Sequence, residues 1–349
     1  MRAPAQKIHR RRFALSVAMA AACVAVPALH AQPRLEKNRI SVVVGGKSNF
    51  LHLPLTLADQ LGYFRSEGLA VDMQEAGSSR RALELQLEGR ADVCAGHFES
   101  TLLLQARGLT HQAFVLQSRT PQAALGVSLR YLPAYRSVAD LKGKRIGVSE
   151  RGSGAGLMAR VVLARAGLAP DDVQWVEVEA GAAVAALRAG QLDALAQYEP
   201  VMSTLEQRAE VRIIFDTRTL KGTADVFGGP MPASCLHAHS EFVQRHPNTC
   251  QALTNGIVHA LKWLQTAGPG DMIKTVPEAY FLGDRAMYLA AFNKVREAIS
   301  PDGLMPPEAA RNVARVLFQA DPALKLEKMD VERAYTNEFA RRAKDRYRA

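Results

Sequence analysis

Apolar positions along this chain alternate in short runs, then spread at helical spacing, and the two patterns follow each other in a steady rhythm. Ile40-Ser41-Val42-Val43-Val44 reads as a strand running into Gly45-Gly46, and Leu53 to Leu61 as a helix stopped by Gly62. The turn Gly62 to Leu69 enters a strand from Ala70 to Glu75, a helix follows from Ser79 to Glu88, and Asp92 to Ala95 is the next strand. Leu102 to Ala106 continues a helix ended by Gly108. Gln112 to Gln117 and Ala123 to Leu129 are extended runs separated by Arg119-Thr120-Pro121-Gln122, and the rhythm restarts at Asp140 with a strand at Ile146-Gly147-Val148. From Ala233-Ser234-Cys235-Leu236 the chain is expected to return to the first series. Glu241 to Ala267 and three later helical patterns, near 284–298, 306–318 and 331–348, are then expected to back it.

The rhythm is a duplication. Gly68 to Gly77, an Ala82-Leu83 helix and Gly89-Arg90-Ala91-Asp92-Val93 are echoed by Gly167-Leu168, Val173 to Gly181, Ala186-Leu187 and Gly190-Gln191-Leu192-Asp193-Ala194. Both copies carry Glu-Ala-Gly after the strand and Gly-x-x-Asp at the helix end. Two copies imply two matching α/β lobes with ligand-sized turns at their strand ends, a layout for which a single-lobed enzyme has no need.

Composition and the N-terminus narrow the compartment. Arg10-Arg11-Arg12 precede an uncharged run from Phe13 to Leu29, broken by Pro27, and Leu29-His30-Ala31 offers a small residue before Gln32. Residues 1–31 therefore read as a secretory signal cleaved near Ala31, too short and too interrupted for a membrane anchor. Arg10-Arg11-x-Phe13 also resembles a twin-arginine signal, so the export route stays open. The chain carries 44 Lys and Arg against 34 Asp and Glu. Removing the leader halves its surplus, too mild a charge for a nucleic-acid partner. The basic C-terminus from Arg341 to Arg348 is interleaved with Asp345 and reads as a solvated helix. Once Cys23 leaves, Cys94, Cys235 and Cys250 allow at most one bridge, between Cys235 and Cys250. His237-x-His239 lacks a third ligand at a recognisable spacing, so neither a metal nor a cofactor is expected.

Four runs carry a family resemblance: Leu57 to Val71 with Gly62-Tyr63-Phe64 and Glu67-Gly68-Leu69, Gly89 to Val93, Asp140 to Val148, and Ala185 to Ala194. In order and spacing, over about residues 40 to 265, they resemble the sulfonate, nitrate and thiamine-pyrimidine branch of ABC-transporter substrate-binding proteins. The resemblance implies an α/β, two-lobed, type II-like periplasmic binding protein, its two open sheets joined by a two-crossing hinge. Residues 38–120 and 235–349 would form lobe one, and 121–234 lobe two. It further implies a periplasmic, monomeric receptor without catalysis, for a small-molecule solute, with an inner-membrane ABC permease as partner; a signalling protein in place of the permease is the alternative. The fungal members that make the thiamine pyrimidine carry clustered cysteines, which this chain lacks.

Open α/β sheets hold ligands beyond the carboxyl ends of their strands, so the turns there supply the candidates. Ser78 and Ser79 start one helix. Ser153 starts another and is read as their counterpart in lobe two; the free N–H groups and helix dipoles of both suit an anionic head group. Each serine also fits a plain N-cap. Asn49 and His52 follow the first strand, His97, Phe98 and Glu99 follow the third, and Tyr198 and Glu199 follow the strand Ala194 to Gln197. Phe98 and Tyr198 could stack on a ligand, and Glu99 and Glu199 could accept hydrogen bonds from one. The serines favour a sulfonate, carboxylate or nitrate-like anion, which is the expectation; the carboxylates favour an amine or a neutral heterocycle such as a pyrimidine.

Overall fold

The strands of the described residues are β1 (Arg39–Val44), β2 (Ala70–Glu75), β3 (Val93–His97), β4 (His111–Leu116), β5 (Ala123–Ser128), β6 (Arg145–Val148), β7 (Gln174–Glu177), β8 (Ala194–Tyr198), β9 (Val211–Asp216) and β10 (Ser234–His239). The helices are α1 (Leu53–Gln60), α2 (Tyr63–Ser66), α3 (Ser79–Leu87), α4 (Glu99–Ala106), α5 (Gly154–Arg165), α6 (Ala180–Arg188), α7 (Val201–Gln207), α8 (Leu220–Phe227), α9 (Ser240–Arg245), α10 (Pro247–Thr266), α11 (Pro269–Thr275), α12 (Arg285–Val295), α13 (Pro307–Ala320) and α14 (Glu338–Tyr347). They come from a computed structural model that describes residues 34–281, 283–321, 324 and 329–349, so the signal read in residues 1–31 lies outside the described residues.

Two five-stranded sheets result, in the orders β2-β1-β3-β10-β4 and β7-β6-β8-β5-β9. Each begins with three parallel strands and continues with an antiparallel one. Parallel strands are covered on both faces, which is why Val42, Val43 and Val44 form an unbroken apolar run with no exposed surface. The register makes the repeat literal: Val44 lies opposite Glu75 and Ala95, and Val148 opposite Glu177 and Ala196. Ala76 N donates to Val44 O at 2.9 Å, and Val178 N to Val148 O at 2.8 Å. Glu75 is thus the equivalent of Glu177, and Gly77 of Glu179. The shared Glu-Ala-Gly text, which aligns Glu75 with Glu179, is two residues out of register.

The shared Gly-x-x-Asp is structural. Gly89 and Gly190 end α3 and α6 with φ of +73° and +72°, a conformation that suits glycine. Three residues on, Asp92 accepts from Ser41 N at 3.0 Å, and Asp193 accepts from Arg145 N at 2.9 Å while its other oxygen takes Arg145 Nη2 at 2.8 Å. Each aspartate pins the amino-terminal part of β1 or β6, the middle one of its sheet's three parallel strands, at the end away from the ligand turns.

The C-terminal helices divide their packing. α10 lies against α1, α2 and α14, and α14 against β4, all on the first sheet's side. α13, expected to back the first sheet, touches both α4 and α5, and α12 touches α7. One apolar cluster consequently joins Leu116 and Cys235 of the first sheet, Leu125 and Val148 of the second, and Val313 and Leu317 of α13. The chain crosses between sheets at 117–122 and 228–233, and the crossings bond to each other through Gln117 N and Ser118 N on Ser234 O (2.8 and 3.1 Å). A third segment runs beside them: Arg119 N donates to Ala298 O at 2.7 Å and Ser300 N to Gln117 O at 2.9 Å.

Cys94, Cys235 and Cys250 are free and buried, so Cys235 and Cys250 form no bridge. Among the described residues no helix is long and apolar enough to cross a membrane.

Candidate functional site

The carboxyl ends of β1, β2, β7 and β8 face one another across a cavity of ≈ 160 Å³. The first lobe lines it with Gly45, Gly46, Ser48 and Asn49 after β1, and with Glu75, Gly77, Ser78 and Ser79 at the end of β2. The second lobe supplies Ser149 after β6, Glu179, Ala180 and Gly181 after β7, and Gln197 and Tyr198 from β8. Gly45 is required sterically: a Cβ there would stand 2.8 Å from Ser79 N, so a larger residue would push the β1 turn off the start of α3. A larger hollow of ≈ 670 Å³ opens at the amino ends of β1 and β2, beside Lys37, Asp59 and Asp92. That is the wrong end of the strands for the ligand of an open α/β sheet, and the Lys37–Asp92 ion pair (2.6 Å) lies in it.

Both helix starts proposed for an anion are already served by the protein. At α3, Ser78 Oγ accepts from Arg81 N at 3.2 Å, an N-cap. The neighbouring N–H, of Arg80, donates to the Glu150 carboxylate at 2.9 and 3.2 Å. Glu150 comes from the turn after β6, across the cavity, and is only 4% exposed. The Arg80 guanidinium closes over it at 3.8 Å and reaches Glu177 at 3.9 Å. At α5, Ser153 Oγ accepts from Gly156 N at 3.1 Å and donates to Glu150 O at 2.7 Å, while Ala155 N donates to Tyr198 Oη at 3.2 Å. Nor is Ser153 the counterpart of Ser78 and Ser79. It follows β6, the equivalent of β1, whereas β2 corresponds to β7.

Of the residues expected from sequence, Asn49, Ser78, Ser79 and Tyr198 line the cavity. The others lie behind it. His52 is buried with Nδ1 3.2 Å from Ser234 Oγ, and burial, together with the charge on His97, pushes its pKa to about 3. Phe98 is core, edge-on to Tyr335 at 6.2 Å between ring centroids. Glu99 is buried against His97, with Oε1 3.3 Å from Nδ1. Burial alone would lower the pKa of His97, but Glu99 and then Glu150 outweigh it and hold it above the ordinary value. Glu199 faces away from the cavity, 2.9 Å from the fully buried Arg218, which also meets Asp216 at 2.7 Å and Glu206 at 2.9 Å.

Sequence reasoning passed over Glu75, Glu179 and Gln197. Each stands at or just after the end of a strand, so the rule that chose the other candidates points to them too, but Glu75 and Gln197 read as the last residues of strands. His111 lies near the His237-x-His239 pair, 5.7 Å from each ring, yet no group of three or more His, Cys, Asp or Glu among the described residues could hold a metal ion.

Comparison with known proteins agrees with this architecture. A Bordetella bronchiseptica protein of known structure is 46% identical, with TM-score 0.88, over 90% of this chain and 100% of its own. The alkanesulfonate-binding protein SsuA of Xanthomonas axonopodis, solved with MOPS, shares the periplasmic binding protein fold at TM-score 0.68 and 20% identity, over 87% of this chain and 100% of its own. A Brucella abortus protein named as a binding protein is 28% identical over 135 residues, 39% of this chain and 40% of its own length, so the match spans well under half of that relative. A Schizosaccharomyces pombe 4-amino-5-hydroxymethyl-2-methylpyrimidine phosphate synthase is 26% identical over 235 residues, 64% of each chain. The family model described as NMT1/THI5 like matches residues 49–267, most of the described chain, and the protein belongs to that family.

Proposed function

We propose that this protein is an exported solute receptor of an ABC importer, and that its cleft takes a small neutral or cationic nitrogen compound that donates hydrogen bonds. The observation that carries the ligand class is the charge of the cavity wall. Glu75 and Glu179 line it from opposite lobes, and the α3 start, where an anion would bind, holds the Glu150 carboxylate instead. A sulfonate or nitrate placed there would meet carboxylates on both sides. An amine or an aminopyrimidine would meet acceptors. The cavity, at ≈ 160 Å³, also sets the size, below the range usual for drug-sized ligands. The name of the fission-yeast relative, a pyrimidine phosphate synthase, supports a heterocycle of this kind. In this reading the lobes, 38–120 with 235–349 and 121–234, close by rotation at the crossings near 118–123 and 228–235, and the closed form is presented to a permease.

The test is a thermal-shift screen of the purified protein against 4-aminopyrimidines, small amines and carboxamides, with methanesulfonate and nitrate as opponents. A ligand at about a hundred times its Kd adds about 2.7 kcal/mol to the folded state and raises Tm by a few degrees. Hits confined to the nitrogen compounds uphold the reading. Hits confined to the anions overturn it and return the site to a head group that displaces Glu150.

A further inference from the structure

Gln197 closes the floor of the cleft, and its amide is only half used. The residue has no exposed surface, and it lines the cavity from the end of β8. Its Oε1 accepts the N–H of Tyr198 at 3.0 Å, which assigns the two ends of the amide. The other end, Nε2, is buried and has no hydrogen-bond partner. A buried N–H left in that state is costly to the folded protein, and an acceptor arriving on a solute would relieve that cost. The first lobe has no amide at the equivalent position. The register makes Gly96 the equivalent of Gln197, and there a Cβ would stand 2.8 Å from His237 Nε2, leaving no room for a side chain.

We infer that Gln197 is a specificity-determining residue of the cleft, its Nε2 donating a hydrogen bond to an acceptor on the solute. This deepens the proposal above and rests on its reading of the cavity as the solute site. The chemical consequence is a constraint on the ligand. It must offer N–H donors to the Glu75 and Glu179 carboxylates and an acceptor to Gln197. Compounds that place donor and acceptor side by side, such as an aminopyrimidine with its ring nitrogen or a primary carboxamide, satisfy both walls. A plain amine satisfies one and leaves the amide unpaired, the situation in which hydrogen-bonding sites discriminate most strongly.

The experiment compares 4-aminopyrimidine with aniline, which keeps the amine and lacks the ring acceptor, by calorimetric titration of the wild type, Gln197→Leu and Gln197→Glu. The wild type is expected to prefer 4-aminopyrimidine by about tenfold or more. Both variants should lose that preference, and both should keep a native circular dichroism spectrum. Equal wild-type affinities for the two probes, or a preference that survives in Gln197→Leu, overturn the inference while leaving the nitrogen-ligand reading in place. Binding of methanesulfonate instead of either probe sinks that earlier reading. In that case a tenfold loss of methanesulfonate affinity in Gln197→Leu still upholds the amide as ligand donor, and an unchanged affinity overturns it. No binding of any probe at millimolar concentration overturns both.

Discussion

The two lobes are one plan executed with different chemistry at the same places. Where the first lobe has Gly46 and Gly77, the second has Glu150 and Glu179; where the first has Gly96 and Phe98, the second has Gln197 and Glu199. What stays the same is what holds the turns in shape. Glu75 accepts from Lys47 N at 2.9 Å, and its equivalent Glu177 accepts from Arg151 N at 3.2 Å. At Gly46, Gly77 and Gly96 the first lobe therefore offers bare backbone, where the second has two carboxylates and an amide. A duplicated scaffold fixes positions; divergence at those positions makes a site that is complementary across the cleft instead of symmetric.

The largest test of this contrast uses acid. Every histidine among the described residues lies in the first lobe or its helices, and residues 121–234 contain none. His52 and His237 are pushed by burial to about 3 and His111 to about 4. These groups are neutral in the folded protein and protonate near 6.5 in the unfolded chain. Stability therefore falls as pH drops below 6.5, by about 1.4 kcal/mol per pH unit for each, until the folded value is reached. His97, raised, works in the opposite sense: its contribution is present below its unfolded value and is lost as pH rises through the folded one. His259 on α10 is lowered by burial as well, so four lowered histidines against one raised leave a net loss of stability in acid, and all of them lie in the first lobe. Trp263 on α10 and Trp175 on β7 report one lobe each. In single-tryptophan variants, Trp263 fluorescence should shift at a higher pH than Trp175 fluorescence. Simultaneous shifts would mean that the lobes unfold as one and that the histidine asymmetry is without effect.

A smaller effect concerns the corner occupied by Phe98 in one lobe and Glu199 in the other. Phe98→Ala should cost about 3–5 kcal/mol in urea unfolding as a cavity in the core. Arg218→Met should cost about as much, because Glu199 is left buried without its counter-charge. The two losses differ in how they are repaired. Adding Glu199→Gln to Arg218→Met should recover a large part, since the amide oxygen can still accept from Ser203 N, which bonds Glu199 at 3.2 Å. No recovery would place the importance of Arg218 on Asp216 and Glu206.

The smallest effect falls on closure. Glu150→Ala removes the acceptor for Arg80 N and the contact with the largely exposed Arg80 side chain, together worth about 1–3 kcal/mol to the closed form. Small-angle scattering of the unligated variant should give a larger radius of gyration than the wild type. An unchanged radius would show that α13, the Ala298–Ser300 segment and the apolar cluster common to both sheets hold the lobes together without Glu150.

The architecture was legible because it rests on local signals. Glycines at strand and helix ends, the apolar run of Val42 to Val44 and the repeated Gly-x-x-Asp act through nearby backbone, so their spacing alone outlines two α/β lobes. Part of the cavity lining was legible for the same reason. Asn49, Ser78, Ser79 and Tyr198 follow strand ends and line the cleft. The rest was not. Phe98, Glu99 and Glu199 also follow strand ends, but their side chains point back into core or to Arg218, and a strand-end rule carries no information on direction.

The sequence by itself determined that there are two copies of one folding unit and put the candidate ligand residues at their strand ends, because hydrophobic period and turn residues are properties of neighbours along the chain. The tertiary structure alone decided the register of the copies, two residues away from the best text match, and the charge of the cleft. Glu150 and the start of α3 lie 70 residues apart. Whether that helix start is open to an anion or filled by a carboxylate depends on how the two lobes meet, and that is set by packing between residues far apart in the chain.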